Sequence, residues 1–90
     1  MITRYGGEEF ACLLHGVPLG DAQVIAERMR AEVEARAIPI PGWPEDVHAT
    51  ISAGVAAVAL ESEDDIHHLL RVADLALYRA KDEGRNRVRT

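Results

Sequence analysis

The spacing of apolar residues shifts repeatedly along this 90-residue chain, and each shift predicts an element. Met1–Tyr5 is compatible with a β-strand, and Gly6-Gly7 separates it from the uninterrupted apolar run Phe10–Leu14. Such a run reads as a strand buried on both faces. Gly-Gly between two runs of this kind predicts a hairpin, because glycine reaches the positive φ angles of tight turns. His15-Gly16-Val17-Pro18 ends the second run. Ala22, Ile25, Ala26, Met29 and Val33 then recur at helical spacing and predict a helix over Ala22–Arg36, capped by Gly20 or Asp21. Glu32 and Arg36 stand four apart, in the favourable order for a helix-surface pair.

Pro39, Pro41 and Pro44 exclude a helix or a central strand between the two halves of the chain. This segment is expected to be a stiff loop or the neck of a small hairpin, with Trp43 packed on the body. Val47–Val58 begins with clean alternation: Val47, Ala49, Ile51, Ala53 and Val55 on one face, His48, Thr50, Ser52 and Gly54 on the other. Period two predicts a strand with one apolar face toward a core, and Gly54 marks a bulge or a close backbone approach. Ser62 and Asp65 have the spacing of a capping box. Ile66, Leu69, Leu70, Ala73, Leu77 and Ala80 make the stripe of a second helix, and Gly84 is placed to end it. Arg85–Arg89 is basic and reads as a short last strand. Helices set between strands of one sheet predict an α+β sandwich.

Composition narrows the classes. The length fits one small domain with a modest core. With 48% hydrophobic and 28% charged residues the chain is globular rather than disordered. Tyr5, Phe10, Trp43 and Tyr78 are the whole aromatic set, so the core falls to Ala, Val, Leu and Ile. A net charge of −5 argues against nucleic acid and anionic membranes as partners. Cys12, the single cysteine, sits in an apolar run, is expected to be buried and inert, and fits a reducing cytoplasm. No stretch reaches membrane-spanning length, and no signal peptide is evident.

The chemistry concentrates in Arg4-Tyr5-Gly6-Gly7-Glu8-Glu9-Phe10. The glycines offer bare backbone beside two carboxylates, a combination that suits a phosphate and its magnesium ion, although many glycine-rich turns with glutamates are plain solvated hairpin tips. Lys81 in the last helical turn and Arg85 just past Gly84 can reach one side of the helix end. Taken alone they read as cations that compensate the helix dipole. His67-His68 point in different directions on a helix and make a poor transition-metal site.

Arg4–Phe10 resembles the signature of the GGDEF family of diguanylate cyclases, in its Gly-Gly-Glu-Glu-Phe variant. Thr50–Ala56, Ala73–Lys81 and Gly84–Val88 resemble that family's later strand, last helix and closing turn, in the same order and at the same separation. Ala53 stands where the family has a bulkier Ile. The resemblance implies a partial nucleotidyl-cyclase or palm-like, ferredoxin-type fold, with a mainly antiparallel sheet covered by helices. It implies condensation of two GTP into cyclic di-GMP with release of pyrophosphate, in cytoplasmic bacterial signalling, by two domains meeting face to face. By resemblance, Gly6 and Gly7 line the nucleotide, Glu8 is the principal catalytic carboxylate on Mg²⁺, and Glu9 supports that metal site. Lys81 and Arg85 contact the terminal phosphates. Arg87 is a thinner candidate for the same task. Arg28 matches a secondary product-binding arginine of some members, or is simply a solvated helix residue. Asp74 is expected in a structural hydrogen bond or salt bridge and Tyr78 in packing.

The resemblance covers the C-terminal half of a family domain, so residues 1–90 are expected to be a truncated GGDEF domain. The other half normally supplies a strand with a metal-binding aspartate and the residues that recognise guanine. The Arg-x-x-Asp product-inhibition motif would lie upstream of Met1. The isolated polypeptide is therefore expected to be catalytically silent, and cyclic di-GMP made from GTP and Mg²⁺ by the purified chain would refute that. The alternative is a non-catalytic remnant that binds a nucleotide or pairs with another chain; a different nucleotidyl cyclase of this fold is a third reading.

Overall fold

A computed structural model describes residues 2–59 and 61–90; Met1 of the first predicted strand and Leu60, at the end of an apolar run, lie outside the described residues. The order is β1 (Ile2–Arg4), β2 (Phe10–Cys12), α1 (Leu19–Ala35), β3 (Ala53–Gly54), α2 (Glu63–Asp82) and β4 (Val88–Arg89). That order and the α+β class agree with the sequence pattern. The sheet does not: the strands form two separate two-stranded sheets, β1–β2 antiparallel and β3–β4 parallel.

The core lies where β3 and β4 meet α2. Ala76 and Ala80 are fully buried, and Ala76 falls outside the stripe drawn from the sequence. Small residues serve here because backbone packs on backbone. A Cβ on Gly54 would lie 2.9 Å from Leu77 Cα and nearer still to the Ala73 carbonyl oxygen and the Leu77 amide nitrogen. The close approach expected at Gly54 is thus made to a helix. β4 holds β3 from the other side: the Ala53 and Val55 amides donate to the Arg87 and Arg89 carbonyls at 3.0 and 2.9 Å.

Both ends of α2 are fixed by local chemistry. The Asp65 carboxylate accepts from the amides of Glu61 (2.7 Å) and Ser62 (2.9 Å), and these two donors hold its pKa below the ordinary aspartate value. At the other end the Arg85 amide donates to the Ala80 carbonyl (2.9 Å) and the Gly84 amide to that of Lys81 (3.4 Å), a Schellman closure. Gly84 takes the left-handed φ of 123° that this closure needs. α1 starts three residues before the predicted Ala22: Pro18 is its cap, with the Ala22 amide on the Pro18 carbonyl, and Gly20 and Asp21 lie inside the helix. Its stripe is only half-covered, and none of its residues is buried.

Several sequence expectations are overturned. Phe10–Leu14 is not a strand buried on both faces: β2 stops at Cys12, and Phe10 is 72% exposed. Cys12 is exposed as well. A strand buried on both faces needs a layer of cover on each side, and here all of β1 is exposed and only Ala11 of β2 is half-buried. Val47–Val58 keeps strand structure only at Ala53–Gly54, because β4 offers just two residues to pair with; Val47 makes a single bridge to Ile38. That bridge makes the proline segment a small hairpin neck, as expected, but Trp43 stands 73% exposed at its tip.

Candidate functional site

The turn between β1 and β2 is closed by a side chain rather than by glycine geometry. Arg4 donates from Nε to the Gly6 carbonyl (3.2 Å) and from Nη2 to the Gly7 carbonyl (2.6 Å). The Tyr5 and Gly6 amides both donate to the Glu9 carbonyl, at 2.9 and 3.2 Å. Contrary to expectation, neither glycine has a positive φ; among the described residues the glycines that do are Gly16, Gly42 and Gly84. A Cβ on Gly7 would meet nothing within 4 Å, and one on Gly6 only Glu9 Cβ at 3.7 Å. The fold would tolerate side chains at both positions. What glycine provides is unobstructed backbone facing open space, as a close-lying ligand requires.

Lys81 brings α2 to this turn. Its Nζ lies 3.2 Å from Glu9 Oε1 and 3.9 Å from Glu8 Oε1. The helix end, 72 residues on from Glu9, thereby closes on the glycine-glutamate turn. Glu8 is 80% exposed at the side chain, Glu9 31% and Lys81 26%, so Glu8 reaches outward while Glu9 and Lys81 form the floor. Beside them a cavity of about 200 Å³ is lined by Glu9, Asp74, Leu77, Tyr78 and Lys81. Two adjacent carboxylates are hard oxygen donors suited to a divalent cation. No group of three or more His, Cys, Asp or Glu gathers among the described residues, so a cation here would take its other ligands from phosphate and water.

The remaining candidates fall unequally. Arg85 follows the Schellman closure with φ 63° and is exposed, four residues beyond Lys81. Arg87 folds back: its Nε donates to the Arg85 carbonyl at 3.0 Å. Arg28 is exposed on α1 and is not among the residues around Lys81. The Asp74 side chain makes no hydrogen bond or ion pair with the described residues; Asp74 lines the cavity instead of making the expected structural bond. Tyr78 is 68% exposed and edges the same cavity, so its expected packing role is also corrected.

One cluster escaped the sequence reading. On α1, Arg30 is paired with Glu27 (2.6 Å) and Glu34 (3.2 Å) rather than Glu32 with Arg36. These bonds hold Glu27 below its ordinary pKa and raise that of Arg30. Arg30 Nη1 also donates to Asn86 Oδ1 at 2.9 Å, and Asn86 Nδ2 donates to Glu34. The glutamates three before and four after Arg30 were a readable helical signal. The link to Asn86, 56 residues away, left no local trace.

The family described as diguanylate cyclase, GGDEF domain, matches residues 1–87. The chain is 44% identical over 85 residues to the response regulator PleD of Caulobacter vibrioides, covering 94% of this chain and 18% of that protein. It is 40% identical over 86 residues to diguanylate cyclase A of Treponema denticola (96% and 22%) and 43% identical over 88 residues to diguanylate cyclase DgcM of Escherichia coli K12 (98% and 20%). The chain spans about a fifth of the length of these relatives. The match runs over residues 1–87, a span that contains both the glycine-glutamate turn and the Lys81 helix end, and the chain belongs to the GGDEF domain family.

Proposed function

We propose that this chain carries the triphosphate- and metal-binding part of a diguanylate cyclase. The observation that supports the reading is the ion pairing of Lys81 with Glu8 and Glu9, which brings a cation suited to a phosphate and two carboxylates suited to a divalent metal to one place. Gly6 and Gly7 let the nucleotide approach the turn backbone. Glu8, the more exposed carboxylate, is the first ligand for Mg²⁺, and Glu9 supports it. The residues fit that ion, which commonly takes one or two carboxylates together with substrate phosphates. Bound there, it would neutralise α-phosphate charge and favour ionisation of the attacking hydroxyl.

In the reaction a 3′-oxygen forms a bond to the α-phosphorus of the second GTP, the bond from that phosphorus to the β-phosphate oxygen breaks, and pyrophosphate leaves while the hydroxyl proton passes to solvent. Lys81 and Arg85 hold the terminal phosphates and stabilise the charge that builds on the leaving group. The 3′-hydroxyl and the α-phosphorus sit on different nucleotides, so turnover requires two such domains, and this chain pairs with a second GGDEF domain. No helix among the described residues is long and apolar enough to cross a membrane. We place the site in the cytoplasm, where GTP is available.

The test is Mg²⁺-dependent GTP binding to the purified chain and to Glu8→Gln, followed by nuclear magnetic resonance. Removing one formal charge from the metal site should weaken Mg²⁺-dependent binding by about tenfold, roughly 1.4 kcal/mol. Helix content should be unchanged, since Glu8 is exposed. Equal Mg²⁺ dependence in both proteins would remove Glu8 from the metal role.

A further inference from the structure

We infer that Asn86 and Arg30 form a clamp that positions Arg85 for the terminal phosphates; this rests on the phosphate role proposed for Arg85. The chain just past α2 is held in an unusual conformation. Arg85 (φ 63°) and Asn86 (φ 48°) are both left-handed, consecutive and not glycine. Two such residues persist only where surrounding bonds fix them.

Those bonds are present, and they come from three different elements. The Asn86 amide donates to Ser52 Oγ at 3.1 Å, on the segment entering β3. Its side-chain oxygen accepts from Arg30 Nη1 at 2.9 Å, and its side-chain nitrogen donates to Glu34, both on α1. The Arg85 amide is tied to the Ala80 carbonyl of α2 at 2.9 Å. On the other side the Arg85 carbonyl accepts from Arg87 Nε at 3.0 Å. The backbone of Arg85 is thus pinned at both ends.

Arg30 is built for this. Its side chain is 16% exposed and already held by Glu27 and Glu34, so its guanidinium is oriented before it meets Asn86. A lysine could not supply the same fork of donors. Arg30, Glu34, Asn86 and Ser52 touch neither Lys81 nor the glycine-glutamate turn in the bonds they make. They act through Arg85 and are positioning residues.

The experiment compares binding of Mg²⁺ with GTP and of Mg²⁺ with GMP by the wild type, Asn86→Gly, Arg30→Lys, Arg85→Ala and the double variant Asn86→Gly/Arg85→Ala. Glycine keeps the left-handed backbone available while deleting the side chain, so Asn86→Gly isolates the clamp. Asn86→Gly and Arg30→Lys should each weaken GTP binding by about tenfold and leave GMP binding unchanged, because GMP lacks the phosphates Arg85 holds. In the Arg85→Ala background, Asn86→Gly should cause no further loss. Equal weakening of both nucleotides in Asn86→Gly and Arg30→Lys would mark a general structural defect and refute the clamp. If Arg85→Ala weakens GTP binding but Asn86→Gly does not, or if the two losses add, the clamp is refuted while the phosphate role stands. If Arg85→Ala itself changes nothing, the proposed role of Arg85 fails and the clamp with it.

Discussion

Replacing Gly54 with alanine should do more damage than any other single methyl group added to a glycine of this chain. The new Cβ would lie 2.9 Å from Leu77 Cα and closer to two other backbone atoms of α2, where ordinary contact begins at 3.4 Å. None of these atoms can rotate away, so β3 and α2 must separate. The separation opens the interface that buries Ala76 and Ala80, the fully buried pair of the described core. Overpacking of a core usually costs about 1–3 kcal/mol, and an obstruction made wholly of backbone belongs at the upper end, near 3 kcal/mol. A chain of this size has roughly 5–13 kcal/mol of stability in all, and a small core puts it toward the lower figure. Urea unfolding followed by circular dichroism at the helix band reads the difference. With a slope of about 1 kcal/mol per molar urea, the midpoint should fall by roughly 3 M, or the variant should be unfolded without denaturant. Gly7→Ala is the control: its Cβ meets nothing within 4 Å and its φ is not positive, so its midpoint should match the wild type. A Gly54→Ala midpoint equal to the wild type would refute the packing of β3 on the helix backbone.

Lys81→Met should change two affinities in opposite directions. Binding of the metal ion alone should tighten, by up to about fivefold, because the competing ammonium is gone and a partly exposed pair is worth up to about 1 kcal/mol. Binding of Mg²⁺-GTP should weaken. Calorimetric titration with metal and with nucleotide checks this, and a parallel change in both would count against competition between Lys81 and the metal. Asp65→Ala should lower the melting temperature at neutral pH and flatten its dependence on acid. The Asp65 carboxylate has a folded-state pKa below its unfolded value, so its contribution is complete above the ordinary aspartate range and fades as pH falls through the lowered value. Thermal melts between pH 7 and pH 3 measure it; an unchanged acid limb in the variant would contradict the cap.

The second helix was legible because its signals are local: Ser62 and Asp65 begin it, the apolar stripe fills it, and Gly84 ends it. Gly54 announced a close approach, though not that the partner would be a helix backbone. The strand over Val47–Val58 was overread because alternation records which face a residue prefers, whereas strand length depends on a partner, and β4 supplies two residues. Burial of Cys12 and Phe10 was overread for a related reason: an apolar run states a need for cover and cannot say whether cover is at hand. Gly6 and Gly7 were read as supplying positive φ angles to a tight turn, a geometry neither adopts, since Arg4 closes the turn. Glu8 and Glu9 stood out by residue type beside the glycines, and Lys81 and Arg85 by their place at the helix end, but their specific roles came through family resemblance. The structure brings Lys81 to the two glutamates, while the Asn86 network required three-dimensional contacts between distant segments.

In the proposed function the glycine-glutamate turn and the end of α2 form one site for Mg²⁺ and a triphosphate. Amide shifts recorded by nuclear magnetic resonance during titration with Mg²⁺ and a non-hydrolysable GTP analogue test it directly. Gly6, Gly7, Glu8 and Glu9 should move together with Lys81 and Arg85, at one affinity, and return when the metal is chelated. Shifts confined to the cavity lined by Met29, Glu32, Val33, Arg36 and Ile38, or a turn and a helix end that respond independently, would contradict it.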